Sequence, residues 1–304
     1  MKSKYELEIG FRTRILNQFR RFFKLGVIEQ MLIRLADGRP STSPFVKLIP
    51  PNYLYREGSR RLVEREGINY ELDISDYVDH SIYFGIEDRS VNRLYQLLGD
   101  QNTILDVGAN VGSILLNIAK LCQTAKIVGF EPDPRNFQRA TNNIRLNTAL
   151  NVCVVNKGLG LKSETVKLYH VNNKNAGMNR ILNDSVAMTS SSVLDYDEIQ
   201  IVRLDDFIRE EGLTNIDLIK IDVEGYELNV LMGAEDTLKR HRPTLFIELD
   251  DDNLRAQGQS ARELVNFISC LGYDMRRADD NAVINEETDF TRCHFDLVGR
   301  HNSH

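Results

Sequence analysis

The sequence predicts an α/β fold, a mostly parallel sheet with helices packed on both faces. Three observations predict it. Thr103-Ile104-Leu105-Asp106-Val107 is a short apolar run that passes through a small-residue turn, Gly108 to Gly112, into a helix opening at Ser113. A second run, Lys126 to Phe130, ends on Glu131-Pro132, so each of two strands carries an acid at its tip. Further on, strands at 152–156, 217–222 and 244–249 alternate with helical patterns at 226–240 and 260–271. Short buried strands alternating with helices read as βαβ units and a parallel sheet.

The chain of 304 residues suits one large domain with an appendage. Residues 1–52 read as a basic amphipathic helical extension with a Pro-rich connector, and 53–304 as the main domain, with its core over 80–275. Within 5–36, Phe11, Ile15, Phe19, Phe22 and Phe23 recur near helical spacing, with Arg12, Arg14, Arg20, Arg21 and Lys24 between them, predicting one or two helices. Such a segment either packs on the main domain with its charges in water, the reading the sequence favours, or lies on an anionic membrane surface. Gly38, Pro40, Pro44, Pro50 and Pro51 break the chain into a connector.

Between residues 53 and 100, Tyr70 to Ile74 predicts a short strand, Tyr77 to Phe84 an aromatic loop, and Glu87 to Leu98 a helix. The core follows: strand 103–107, helix 112–121, strand 126–131, helix 134–147, strand 152–156. Residues 160–203 interrupt it as a β-rich insertion, with a strand at Thr165–Tyr169 and a polar loop over 172–179, suited to a place beside a ligand or to an exposed hairpin tip. The segments near 273–278 and 294–300 predict a terminal antiparallel pair.

Hydrophobic residues make up 42% of the chain, ordinary for a globular protein, and no apolar run approaches the length of a membrane span. The N-terminus shows no apolar core of a secretory signal. Cys122, Cys153, Cys270 and Cys293 form no CxxC pair and read as buried small hydrophobes in a reducing compartment. A cytoplasmic protein is expected, with contact to the inner face of a membrane through residues 5–36 as the alternative. The net charge is −6: residues 1–40 carry nine Lys/Arg and four Asp/Glu, hence +5, and the remainder −11. The acidic balance argues against nucleic acid as a partner.

The first turn discriminates between cofactors. A dinucleotide fold wants GxGxxG, so that backbone can approach a pyrophosphate. Here Gly108 and Gly112 are separated by three residues, and Asp106 precedes them. That acid suits a cationic amino-acid moiety better than a pyrophosphate. Asn110 tolerates the left-handed backbone a tight turn needs. Gly112 opens a helix whose amides suit a carboxylate. Glu131, next to Pro132, is placed to accept ribose hydroxyls, and Asn156 and Lys157 end the third strand where an adenine would lie. The pattern favours S-adenosyl-L-methionine over NAD.

At these residues the chain resembles the FkbM family of class I S-adenosylmethionine-dependent methyltransferases. The resemblance rests on Ile104 to Gly112, Gly129-Phe130-Glu131-Pro132-Asp133-Pro134, Leu204-Asp205-Asp206-Phe207, Asp217 to Glu227 with its Lys220-Ile221-Asp222-Val223-Glu224-Gly225 block, and Arg242 to Glu248. It implies a Rossmann-like seven-stranded sheet and methylation of a hydroxyl, on a saccharide, a glycolipid or a polyketide-type acceptor. Asp222 and Glu224 follow the fourth core strand and Glu248 ends the next. Ligands of open α/β sheets bind beyond those ends, so these acids are the candidate base and its supports. Lys220 reads as a strand-end lysine. Asp222, Glu224 and Glu248 are hard oxygen ligands that also permit Mg²⁺, but no His joins them and their spacing matches no dedicated metal motif, so no metal site is assigned and that alternative stays open. A polyketide, peptide or protein acceptor, or a non-catalytic cofactor-binding module in a glycan-synthesis assembly, stays open. The sequence leaves the oligomeric state unassigned.

Overall fold

The alternating apolar runs join into one sheet. In the computed structural model, which describes residues 10–147, 151–170, 175–182 and 195–302, its strands are β1 (Thr103–Val107), β2 (Lys126–Phe130), β3 (Val152–Val155), β4 (Ile216–Ile221), β5 (Thr244–Asp250), β6 (Tyr273–Arg277), β7 (Val283–Ile284) and β8 (His294–His301). Their order is β7-β6-β8-β5-β4-β1-β2-β3. The run from β3 to β5 is parallel; β8 lies antiparallel between β5 and β6, and β7 pairs antiparallel with β6. Among the described residues the sheet is thus mixed and eight-stranded, which corrects the expected mostly parallel seven-stranded sheet. A parallel return needs a long crossover. After β6 the chain has only residues 278–282, with Asn281 at φ +61°, and it folds straight back as a hairpin.

The sheet order reverses between β1 and β4, which opens a crevice beyond their carboxyl ends. Every residue of β1 is buried, as a central strand covered on both faces must be. Alternation sorts the side chains: Leu105, Val128 and Ile219 pack with Phe207, Leu231 and Leu264, while Ile104, Ile127 and Leu218 pack with Leu94, Leu115 and Ile118.

Outside the core, Tyr77–Phe84 is a helix rather than the expected loop. Asp76 caps its start by accepting from the amides of Val78 and Asp79, and Gly85 ends it in the left-handed conformation. Its aromatic content marks a buried face, where Tyr83 and Phe84 meet Leu32, Ile33, Ile68 and Tyr70. The 5–36 segment forms helices Phe11–Phe22 and Gly26–Ala36, residues 5–9 lying outside the described residues. The insertion contributes a second sheet in the order Arg180–Ile181, Glu164–His170, Asp195–Val202, Gly158–Leu159. Of its polar loop, residues 172–174 lie outside the described residues, and Ala176–Met178 is a short 3-10 turn. Cys122 is buried, but Cys153, on edge strand β3, and Cys270, at a helix end, are exposed, contrary to expectation. No helix of the described residues is long and apolar enough to cross a membrane.

The helix expected over 226–240 is two, Glu227–Met232 and Glu235–His241, and Gly233 lies at the break. A Cβ on Gly233 would stand 1.9 Å from the Gly160 carbonyl oxygen, so the insertion's backbone sits directly against it. Gly233→Ala is expected to lower the unfolding free energy by about 3 kcal/mol, the upper range for overpacking. Gly26→Ala, which opens onto empty space at a helix start, should change it by less than about 0.5 kcal/mol. Urea unfolding of both variants checks the contrast.

Candidate active site

The site is built over a buried ion cluster. The β1–β4 register sets Lys220 beside Asp106. The Lys220 Nζ lies 3.2 Å from Asp106 Oδ1 and 3.4 Å from Asp222 Oδ2, and it donates to the Gly108 carbonyl at 3.0 Å. Burial alone would lower the Lys220 ammonium, but Asp106 and Asp222 beside it outweigh burial and hold it up, charged. Burial pushes the Asp106 carboxyl up against that pull. Asp106 is 0% exposed, and beyond the ion pair neither of its oxygens meets a hydrogen-bond donor. It therefore lies beneath the turn, holding Lys220, rather than open to a ligand. Lys220 was the residue sequence reasoning undervalued. Its signal was a lysine between Ile219 and Ile221 in a strand covered on both faces, where a charge needs a partner.

Above this cluster the turn is set by left-handed residues: Gly108 at φ +87°, Asn110 at +49° and Gly112 at +81°. At Gly108 no side chain fits, since a Cβ would stand 1.9 Å from the Asp222 carbonyl oxygen. Gly112 caps helix Ser113–Leu121. Glu131 fixes the turn to the tip of β2: Oε2 accepts from the Asn110 amide at 2.7 Å and Oε1 from the Asp133 amide at 2.9 Å. Burial raises its carboxyl to about 8, the two amides opposing. Asn156, at the tip of β3, donates through Nδ2 to the carbonyls of Glu131 and Pro132 at 2.9 and 3.1 Å. Lys157 follows it, its amide donating to the Val155 carbonyl at 2.9 Å. Apart from Asp106, which lies beneath, the residues assigned to a cofactor line the tips of β1, β2 and β3.

The acids assigned to chemistry also come together. Asp222 follows β4, its side chain 41% exposed and paired with Lys220. Glu224 takes φ +55° and accepts from Asn253 Nδ2 at 2.9 Å. Burial, then Asp222, raise its carboxyl to about 8, against Arg180. Glu248 on β5 is pushed far up by burial and by Asp222 and Glu224, so it holds its proton at neutral pH. Among the described residues no group of three or more His, Cys, Asp or Glu is arranged to hold a metal ion.

Three further residues shape this side: Glu227 closes the Asp217–Glu227 block, and no local pattern marks the other two. Arg180, from the insertion, donates to Asn253 Oδ1 at 2.8 Å, and Asn253 in turn donates to Glu224. Glu227 is buried and accepts from the amides of Val223 and Gly225 at 3.2 and 2.9 Å, which fixes the loop carrying Glu224.

Two predictions follow from burial. Glu131, Glu224 and Glu227 titrate at about 8, 8 and 7, above the ordinary 4.5. The folded chain then keeps protons the unfolded chain has released, so their contribution is full below about 4.5 and is lost as pH rises toward 8. The thermal midpoint should fall between about pH 5 and 8.5, and Glu224→Gln, which keeps the Asn253 bond, should flatten that fall. Lys220→Met strands the Asp106 charge and should cost about 3–5 kcal/mol, part of it recovered in the double variant with Asp106→Asn, by denaturant titration.

Comparison with known proteins identifies the family. The methyltransferase FkbM domain matches residues 106–275, more than half of the chain. Methyltransferase sdnD of Sordaria araneosa is 31% identical over 156 residues, which cover 44% of this chain and 60% of that protein. The 2-O-methyltransferase NoeI of Sinorhizobium fredii is 28% identical over 159 residues, covering 50% and 64%. The 31-O-demethyl-FK506 methyltransferase FkbM of Streptomyces tacrolimicus is 28% identical over 156 residues, covering 44% and 60%. The chain thus spans about three-fifths of the length of these relatives. A crystal structure of methyltransferase FkbM from Methylobacillus flagellatus aligns over 74% of this chain and 55% of that one, with 19% identity and a TM-score of 0.45. The domain match takes in the strand tips of β1, β2, β4 and β5 described above, and this chain belongs to the FkbM methyltransferase family.

Proposed function

We propose that the chain is an S-adenosyl-L-methionine-dependent O-methyltransferase acting on a hydroxyl of a saccharide or glycolipid, in polysaccharide biosynthesis. The observation that carries the cofactor is the clamp of Glu131 on the Asn110 amide. Each Glu131 oxygen uses one lone-pair direction on a backbone amide and keeps another for a ribose hydroxyl. The helix opening at Ser113 offers amides for a carboxylate. The orphaned acceptor capacity and the glycine turn fit S-adenosylmethionine; no GxGxxG turn is present for a pyrophosphate.

S-adenosylmethionine bound there supplies a methyl group already activated for transfer to oxygen. The chain's own residues then hold the acceptor and take its proton. Asp222, the more open carboxylate, is the first candidate base, with Lys220 holding it in place. Glu224 is the second, steadied by Asn253. Glu248, protonated, donates a hydrogen bond rather than receiving a proton. A positioned base of this kind contributes about 10²–10⁴-fold.

For the acceptor, support comes from a cleft of about 600 Å³ whose lining includes Arg60, Asp73, Arg135, Asn136, Arg139 and Asn179. Asn179 Nδ2 donates to Asp133, two residues from Glu131, which sets the cleft beside the β2 tip. A lining of acids, guanidinium groups and amides suits a polyhydroxylated ligand better than an apolar polyketide. Two relatives, the 2-O-methyltransferase NoeI and the 31-O-demethyl-FK506 methyltransferase FkbM, support oxygen as the atom methylated.

Calorimetric titration with S-adenosylhomocysteine, with NAD alongside, tests the cofactor. Binding of S-adenosylhomocysteine that Glu131→Ala loses is expected; binding of NAD instead would sink the reading. With methyl-labelled cofactor and saccharide acceptors, Asp222→Asn should lower turnover about 10²-fold or more while leaving S-adenosylhomocysteine affinity within about twofold.

A further inference from the structure

Helix Phe11–Phe22 is fastened to the protein by its polar side. Asn17 is buried and donates through Nδ2 to the Tyr53 hydroxyl at 3.0 Å. Arg20 donates to Asn17 Oδ1 at 3.2 Å and to the Lys47 carbonyl. Lys24, just past the helix, donates to the Leu54 carbonyl at 2.8 Å and stands over the Tyr55 ring. At about 100° per residue, Phe11, Ile15, Phe19 and Phe22 share the opposite face. That face is open: Phe11 is 77% exposed, Phe19 61% and Phe22 67%. Leu25, Val27 and Met31 continue the apolar surface onto the next helix, at 63%, 86% and 58%. A helix normally buries its apolar stripe against its own domain. This one does the reverse, and a contiguous exposed apolar patch marks an interaction site.

The charges point to the occupant. From Phe11 to Ile28 the sequence has five Lys/Arg and no Asp/Glu, and although Arg20 and Lys24 are bonded to the protein their charge still adds to the segment's positive field, in a chain whose residues beyond 40 carry −11. An anionic surface would repel the body and attract this segment, which also orients the approach. A second copy docked face to face would set two basic segments against each other. We infer that the surface from Phe11 to Met31 docks on an anionic lipid interface. The aromatic side chains enter the boundary between headgroups and acyl chains, and Arg21 stays at the phosphates.

The test is flotation of the full chain with vesicles of equal phosphatidylcholine and phosphatidylglycerol, against phosphatidylcholine alone. The chain should float with the anionic vesicles, less so in about 0.5 M salt. The double variant Phe19→Ser/Phe22→Ser should bind at least about tenfold more weakly, and Arg21→Gln should weaken binding and its salt dependence. Circular dichroism checks the fold, and Phe11→Ser alone carries the comparison if the double variant misfolds. Absence of flotation at low salt, or equal flotation of the serine variants, would overturn the inference. So would a dimer in sedimentation velocity that the serine variants dissolve, since a second copy would then cover the face. None of these readouts depends on methyl transfer.

Discussion

The structure depends on one buried positive charge. Lys220 cannot sit in a strand covered on both faces without carboxylates at its end, and Asp106 and Asp222 supply them from two neighbouring strand tips. The same ammonium holds the Gly108 carbonyl, so the glycine turn is tied down from below. Three features that look separate in the sequence, the acid of β1, the turn after it and the acid after β4, answer one electrostatic requirement. Replacing the group by an apolar residue could leave a sheet, but not this arrangement of its edge.

Left-handed backbone recurs at that edge, as it does at Glu66, Asn215, Arg242, Asn281 and Arg292 elsewhere. Gly108, Asn110, Gly112, Glu224 and Gly225 all take positive φ, and two of them bear side chains for which this is unfavourable. Glu224 is the more telling, since a long acid gains nothing intrinsically from a left-handed conformation. It is over-determined from outside: Glu227 holds the amides around it, Asn253 holds its carboxylate, and Gly225 presses on the Asn253 backbone, where a Cβ would stand 2.5 Å from the carbonyl oxygen. A strained residue so thoroughly fixed cannot adapt to its ligand, which is what a positioned carboxylate requires.

The parallel strands and their tips were legible because they depend on local patterns: apolar runs with an acid and glycine at the end. So was the pairing of β6 with β8 near the C-terminus. What escaped the sequence was set by partners far along the chain. The two-residue β7 has no periodicity to detect. Tyr77–Phe84 hid as a loop because its aromatic residues crowd one helical face, although Asp76 and Gly85 flank it with cap signals. Gly233 breaks a helix for a carbonyl more than seventy residues upstream, at Gly160. At the candidate site, type and position pick out the acids in the sequence, whereas the contacts of Arg180 and Asn253 become legible only once the insertion is folded against the β5 side.

That insertion joins the two halves of the rim. Asn179 binds Asp133 beside the β2 tip at 2.7 Å, and Arg180 binds Asn253 beside the β5 tip at 2.8 Å. Between them, a Cβ on Gly177 would stand 3.1 Å from the Asn110 side chain, so the strap passes directly over the first turn. Gln257 adds a bond to the Ile181 carbonyl. A short run of residues therefore touches the proposed cofactor rim through Asn179 and, through Arg180 and Asn253, steadies Glu224, the second candidate base. Asp133 also caps a helix and Asn253 also holds Glu224, so each bond of the strap is made to a group that already positions part of the rim.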